Sequence, residues 1–139
     1  MTVLVDASVA LKWFVQEQGS EIARQLRKTH RIAAPSLIIA EVANAAWKLQ
    51  RIGKLPQPQL TAIVSSLPLF FDALWLIELF AVRAATIAQT LDHPVYDCFY
   101  LALSERTGQP LVTADRRLLT HVSGSQWQSL VVDLYEGPL

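Results

Sequence analysis

The sequence has few of the residues from which several common kinds of site are built. Its 139 residues include one cysteine, Cys98, which excludes an intrachain disulfide and a cysteine-based zinc site. Because Cys98 lies in an apolar, helix-like run, we expect a buried and inert thiol. The five glycines form no Gly-x-Gly, so a P-loop and a dinucleotide-binding fingerprint are also excluded. The three histidines show no paired spacing of the kind found in zinc sites.

Charged residues are scarce as well. They make up 17% of the sequence, against about 25% in ordinary soluble domains. The formal net charge is +0, from 12 basic and 12 acidic residues, so any site for a polyanion must be local. A surface so poor in charge predicts that part of it is covered by a second copy of the chain or by another protein.

Long uncharged apolar runs are missing too. The most apolar stretch, residues 67–85, is interrupted by one proline and three charged residues, and it falls short of the roughly 18 apolar residues of a membrane span. The first residues include neither a basic region nor a cleavable apolar segment. We therefore expect no membrane association and a cytoplasmic protein.

Short apolar runs alternate with helical patterns along the chain. The predicted strands are residues 2–5, 32–34, 69–71, 111–113 and 130–132. The predicted helices are residues 8–16, 19–28, 36–52, 59–67, 78–91, 94–108 and 116–120. This alternation predicts an α/β fold with three α/β/α layers and a mainly parallel, roughly five-stranded central sheet. We expect a single domain over residues 1–139.

Four acidic residues lie in apolar surroundings. Asp6 and Asp115 follow predicted strands, and ligands bind outside the carboxyl ends of strands in open α/β sheets. Glu41 and Asp97 lie on apolar helices and have no Lys or Arg within four residues. Burying a carboxylate without a partner costs several kcal/mol. If the four converge, the simplest partner is a hard divalent cation such as Mg²⁺ or Mn²⁺.

Each of these acids also has a purely structural interpretation. Asp6 and Asp115 suit the N-cap of the helix that follows each of them. Glu41 begins a polar stripe that is also typical of a solvated helix face. Asp97 lies in a first helical turn, where a negative charge suits the helix dipole. All four interpretations would have to hold at once, whereas a shared cation site needs one cause.

Four segments of the sequence resemble the motifs of PIN-domain proteins and, within that family, the VapC-type toxins of prokaryotic toxin–antitoxin pairs. The segments are residues 3–8, 35–42, 96–104 and 110–118. They occur in the family's order, and the resemblance covers essentially the whole chain. One mild departure is Cys98, at a position where the family more often has alanine.

This resemblance implies a PIN domain that acts as a metal-dependent endoribonuclease. Ser8 and Thr113 match the polar positions that accompany the first and last acids of the family. The resemblance also implies a Mg²⁺ or Mn²⁺ cofactor, an RNA substrate and a homodimer. It further implies a VapB-type antitoxin that occupies the cleft and that links a larger assembly to operator DNA. The residues that match the family's acidic quartet are Asp6, Glu41, Asp97 and Asp115, with the metal held mainly by Asp6, Asp97 and Asp115.

Basic residues near these acids are predicted to contact RNA phosphates, although a solvated surface explains them equally simply. Two other functions are open at this point. One is a PIN-like module that binds RNA or a protein without catalysis, which a lost acid would signal. The other is a Mg²⁺-dependent phosphatase on a similar sheet, which a small phosphomonoester would reveal. The predicted phosphate contacts are Lys12, Lys48, Arg51, Arg116 and Arg117.

Overall fold

Strands and helices alternate along the chain from its first residues. Within residues 1–137, which are the residues that the computed structural model describes, there are five strands and seven α-helices. The strands are β1 (Thr2–Val5), β2 (Arg31–Pro35), β3 (Ala73–Trp75), β4 (Leu111–Thr113) and β5 (Val131–Asp133). The helices are α1 (Ala7–Ala10), α2 (Ser20–Thr29), α3 (Leu37–Arg51), α4 (Gln57–Ser66), α5 (Ala81–Leu91), α6 (Val95–Thr107) and α7 (Arg116–Val122). Short 3-10 helices cover Leu11–Trp13, Leu67–Phe70, Ile77–Leu79 and Gln128–Leu130.

The five strands form one parallel sheet in the order β3-β2-β1-β4-β5. The central strand β1 pairs with β2 through Val3 and Ile32, and with β4 through Val5 and Val112. Because every strand runs in the same direction, all five carboxyl ends lie at one edge of the sheet. The prediction of a three-layer α/β/α fold around a parallel sheet is confirmed.

Burial on both faces of the sheet explains why the central strands are continuous apolar runs. Val3, Leu4 and Val5 of β1 are fully buried. Helix α6 is also central, because every residue from Cys98 to Ser104 is buried. Burial, and after it the charge of Asp97, raises the pKa of the Cys98 thiol to about 11, which agrees with an inert thiol. Among the described residues, no helix combines the length and apolar character needed to cross a bilayer.

The position predicted for the third strand is wrong. Residues 69–71 lie at the end of the 3-10 helix Leu67–Phe70, which has Pro68 in its first turn, and the strand follows at β3. Aromatic packing explains the difference, because the Phe70 ring stacks on Trp13 with the ring centroids 5.7 Å apart. An apolar run of three residues fits a strand or a helical turn equally well, and here the tertiary contact decides between them.

Candidate active site

Asp6 lies at the carboxyl end of β1 and is only 5% exposed. Its Oδ1 accepts hydrogen bonds from Ser8 Oγ at 2.5 Å and from the Val9 amide at 3.4 Å. Its Oδ2 accepts a hydrogen bond from Thr113 Oγ1 at the end of β4. Asp6 therefore caps α1 and is also tied to the neighbouring strand, so its carboxylate is held from two sides.

The electrostatic environment of Asp6 disfavours its ionised form. Its pKa is raised from 3.8 to about 7, chiefly because burial removes the carboxylate from water. The hydroxyls of Ser8 and Thr113 oppose this shift, and the negative charges of Asp97 and Asp115 add to it. Asp6 is thus a desolvated carboxylate whose charged neighbours are also acids, which is the situation that a bound cation relieves.

Asp115 lies between β4 and α7 and is the N-cap of α7. Its Oδ1 accepts a hydrogen bond from the Arg117 amide at 2.9 Å, so the capping interpretation of Asp115 holds together with its place beside Asp6. The same loop is fastened to the start of α1, because the Ala114 amide donates to Ser8 Oγ at 2.9 Å. Ser8 therefore connects the two loops that carry these acids.

Glu41 lies on α3, half-buried, and meets a tyrosine from α6. The Tyr100 hydroxyl donates to Glu41 Oε1 at 2.6 Å. Burial raises the pKa of Glu41, the hydrogen bond from Tyr100 lowers it, and the charge of Asp97 raises it again. The pKa of Tyr100 is raised well above its usual value, first by burial and then by Glu41, so its hydroxyl stays a donor. Tyr100 is not among the site residues predicted from the sequence.

Asp97 lies in the first turn of α6 and contacts a histidine that precedes the helix. Its Oδ2 lies 2.5 Å from His93 Nε2, and the His93 side chain is only 2% exposed. The other ring nitrogen of His93, Nδ1, meets Nδ1 of His121 from the last turn of α7. The contact between His93 and Asp97 is not among the predictions made from the sequence, where only the spacings between histidines were considered. The spacing of four residues between His93 and Asp97 was the available signal.

The four acids predicted from the sequence come together at the carboxyl edge of the sheet. The charge of Asp97 raises the pKa of both Asp6 and Glu41. The charge of Asp115 also raises the pKa of Asp6. Within residues 1–137, however, no three His, Cys, Asp or Glu side chains form a ready-made set of metal ligands. The contacts described above occupy only part of the accepting capacity of these carboxylates, so lone pairs remain for a cation.

The five basic residues predicted to contact RNA differ in their surroundings. The Lys12 ammonium is buried and donates to Glu17 Oε1 at 3.1 Å and to the Gln18 carbonyl at 2.7 Å, an arrangement that favours a structural role. The Arg116 guanidinium lies 2.5 Å from Asp133 Oδ1. Contact with RNA stays a prediction for all five. The three that are exposed and have no ion pair within the described residues are Lys48, Arg51 and Arg117.

Comparison with solved structures shows that the fold recurs. The crystal structure of PAE2754 from Pyrobaculum aerophilum matches with a TM-score of 0.67 and 23% identity, over 97% of this chain and 85% of that one. A toxin–antitoxin complex from Klebsiella pneumoniae matches with a TM-score of 0.66 and 20% identity, over 97% of this chain and 99% of that one. At these identities the matches establish the architecture alone.

Comparison of sequences is more specific. The chain is 36% identical over 121 residues to Ribonuclease VapC3 of Pyrobaculum aerophilum, which covers 85% of this chain and 92% of the relative. The family model described as PIN domain matches residues 3–124. That span includes all four acids and both hydroxyl side chains that hold Asp6. Because the match extends over most of the sequence and over the whole acid cluster, the chain belongs to the PIN domain family.

Proposed function

We propose that this protein is a Mg²⁺- or Mn²⁺-dependent endoribonuclease and the toxin of a toxin–antitoxin pair. The observation that carries the proposal is the buried carboxylate of Asp6, whose pKa is raised to about 7 beside two further acids. Membership of the PIN family and the similarity to a relative named Ribonuclease VapC3 support it. A non-catalytic module would leave the acid cluster without a role, and the similarity to a ribonuclease favours RNA over a small phosphomonoester as the substrate.

The chemistry of the acid cluster fits a hard divalent cation. Its ligand atoms are carboxylate oxygens, which select Mg²⁺ or Mn²⁺ over softer metals. We infer that the cation is held mainly by Asp6, Asp97 and Asp115. A bound divalent cation supplies charge stabilisation at the phosphate and makes water a stronger nucleophile. Binding it would also stabilise the ionised form of Asp6, which burial and, after it, the charges of Asp97 and Asp115 disfavour.

The residues of this chain then have distinct tasks. Ser8 and Thr113 hold both oxygens of Asp6, so that this carboxylate stays oriented when RNA enters. Tyr100 donates to one oxygen of Glu41 and leaves the other to accept a hydrogen bond from a water molecule. We infer that Glu41 orients this water. Arg117 lies two residues after Asp115 and is exposed, so it can contact a phosphate beside the acids.

The proposed partners follow from the family and from the surface. One of the structural neighbours is a toxin–antitoxin complex, and we propose a VapB-type antitoxin for this chain as well. We also propose a homodimer, a single domain over residues 1–139 and a cytoplasmic location. Large apolar side chains on the surface are consistent with covered faces. They include Trp47, Leu76, Leu79 and Val82.

Incubation of the purified protein with structured RNA tests this function directly. We expect cleavage in Mg²⁺ or Mn²⁺, loss of cleavage in EDTA, and recovery when excess Mn²⁺ is added, because the acid cluster requires the cation. Gel analysis of the fragments measures the rate. A small phosphomonoester serves as the control substrate and should stay intact. Binding of RNA without cleavage in Mn²⁺ would instead favour a non-catalytic module, and hydrolysis of the phosphomonoester would favour a phosphatase.

Arg117→Ala is expected to raise KM for RNA and leave kcat nearly unchanged, because a phosphate contact contributes binding that is equal in the ground and transition states. The salt dependence of binding should weaken by roughly 0.7 to 1 unit in log–log slope, as for one lost phosphate contact. Cleavage kinetics at several salt concentrations measure both.

The matched control is Arg31→Ala. Arg31 is exposed at the amino end of β2, on the opposite edge of the sheet from the acids. Its removal should change neither KM nor the salt slope. If Arg117→Ala and Arg31→Ala have the same KM and the same salt slope, Arg117 does not contact the RNA.

A further inference from the structure

A chain of hydrogen-bonding groups runs from the acid cluster to the surface. It begins at Asp97, passes through the buried His93 ring and ends at His121, which is exposed. The two imidazole rings meet edge to face, with centroids 4.5 Å apart and an angle of 81° between their planes. The three residues come from the start of α6, the loop before it and the end of α7.

The chemistry of imidazole assigns the direction of these hydrogen bonds. An ionised carboxylate only accepts, so the Nε2 of His93 that faces Asp97 must carry a proton. A neutral His93 then has an unprotonated Nδ1, which accepts from a protonated Nδ1 of His121. If His93 instead carries protons on both nitrogens, its Nδ1 donates to His121. In both cases Nε2 of His93 donates to Asp97.

The backbone around His93 fixes the ring in place. Asp92 ends α5 in a left-handed conformation with φ of 53°, and the His93 amide donates to the Ala88 carbonyl at 3.3 Å. Pro94 follows and restricts the backbone of His93 to extended conformations. With its side chain almost completely buried, the imidazole has little freedom to leave Asp97.

We propose that His93 is a positioning residue for Asp97, and that His121 holds the His93 ring in the tautomer that donates to this carboxylate. The inference rests on the proposed function, in which Asp97 binds the catalytic cation. Fixing Oδ2 of Asp97 orients the carboxylate as a whole, so that its remaining lone pairs are presented to the cation in one direction. Hydrogen-bond partners of ligating carboxylates commonly contribute 10- to 100-fold in metal affinity or activity.

Calorimetric titration with Mn²⁺ in the absence of RNA tests the proposal. We expect His93→Ala to weaken Mn²⁺ binding by about 10- to 100-fold. His93→Gln should recover most of the affinity, because its amide N–H can donate to the same carboxylate oxygen. His121→Ala should give a smaller loss, since it removes only the partner of the His93 ring.

The matched control is His30→Ala. His30 precedes β2 at the amino edge of the sheet, and its Nδ1 lies 2.8 Å from Thr29 Oγ1. This variant should bind Mn²⁺ like the unaltered protein. In cleavage assays His93→Ala should lower kcat and leave KM for RNA unchanged, because His93 supports a metal ligand and contacts no phosphate.

The outcomes separate the inference from the proposed function. If the unaltered protein binds Mn²⁺ and cleaves RNA, and His93→Ala does both equally well, the positioning role is refuted and the proposed function stands. If His93→Gln is as defective as His93→Ala, the donor role is refuted. If the unaltered protein neither binds Mn²⁺ nor cleaves RNA, the proposed function fails and the inference fails with it.

The tautomer supplies a second measurement that needs no variant and no activity. Long-range ¹H–¹⁵N spectra of the folded protein report which imidazole nitrogens carry protons. We expect a protonated Nε2 on His93. An unprotonated Nε2 on His93 would overturn the proposal. Should His93→Ala fail to fold, this measurement and the His121→Ala variant decide the question.

Discussion

Asp6→Asn is expected to lower kcat for RNA cleavage by about three orders of magnitude, since a catalytic cation contributes several kcal/mol to the transition state. The substitution removes the negative charge but keeps the shape of the side chain. The amide oxygen can still accept from Ser8 or Thr113, which hold the carboxylate in the unaltered protein. The fold should therefore persist, and circular dichroism checks this alongside the cleavage assay.

Asp72→Asn is the matched control for this experiment. Asp72 precedes β3 at the amino edge of the sheet, opposite the acid cluster, and its carboxylate accepts from the Ile32 amide at 2.8 Å. An asparagine can accept the same hydrogen bond, so activity should be unchanged. An Asp6→Asn variant that still cleaves RNA in Mn²⁺ at an ordinary rate would contradict the assignment of Asp6 to the catalytic centre.

The metal-free protein is expected to lose stability as the pH rises from about 4 to about 7. The pKa of Asp6 is 3.8 before folding perturbs it and about 7 in the folded protein, so between these values the folded state binds more protons than the unfolded state. The free energy of unfolding then falls with rising pH. A shift of this size corresponds to at most about 4 kcal/mol. Glu41, whose pKa is also raised, acts in the same direction.

Urea denaturation in EDTA at pH 5 and pH 8 measures this effect. Glu105 and Asp133 have lowered pKa values, so their contributions to stability are lost as the pH falls, opposite to that of Asp6. The informative quantity is therefore the difference in the free energy of unfolding between the unaltered protein and Asp6→Asn, because this difference isolates the contribution of Asp6. We expect the variant to be relatively more stable at pH 8 than at pH 5. Mn²⁺ at pH 8 should stabilise the unaltered protein and have much less effect on the variant. If the difference in the free energy of unfolding between the two proteins does not change with pH, the pKa of Asp6 is not raised by folding.

The sequence predicted those parts of the fold whose patterns allow one interpretation. The bounds predicted for the fully apolar β1 and the long helix α3 lie within about two residues of those observed. In both segments the hydrophobic periodicity and the segment length indicate the same type of element. The strand near residue 70 was misplaced by a few residues, because Phe70 packs on an aromatic side chain that is distant in the sequence. Local pattern carries no information about such a partner.

Some residues of the candidate site could also be predicted from the sequence, whereas others could not. Asp6 and Asp115 could be predicted to lie together, since strand order in a parallel sheet brings adjacent carboxyl ends to one edge. The contact of Tyr100 with Glu41 depends on how two helices pack, and that of His93 with His121 joins residues 28 apart in sequence. Neither follows from spacing along one element. The sequence therefore indicated the four acids and, through the family resemblance, Ser8 and Thr113, but not Tyr100 and His93.

The position of Asp6 after the central strand has a consequence for how the protein fluctuates. β1 has a hydrogen-bonded neighbour on each side, whereas β3 and β5 are short strands at the two margins. Local opening begins at such margins and reaches the most protected strand only when the whole molecule unfolds. Asp6, whose burial is the most costly among the four acids, is thus anchored where transient opening is rarest. Fraying of the outer strands leaves its surroundings intact.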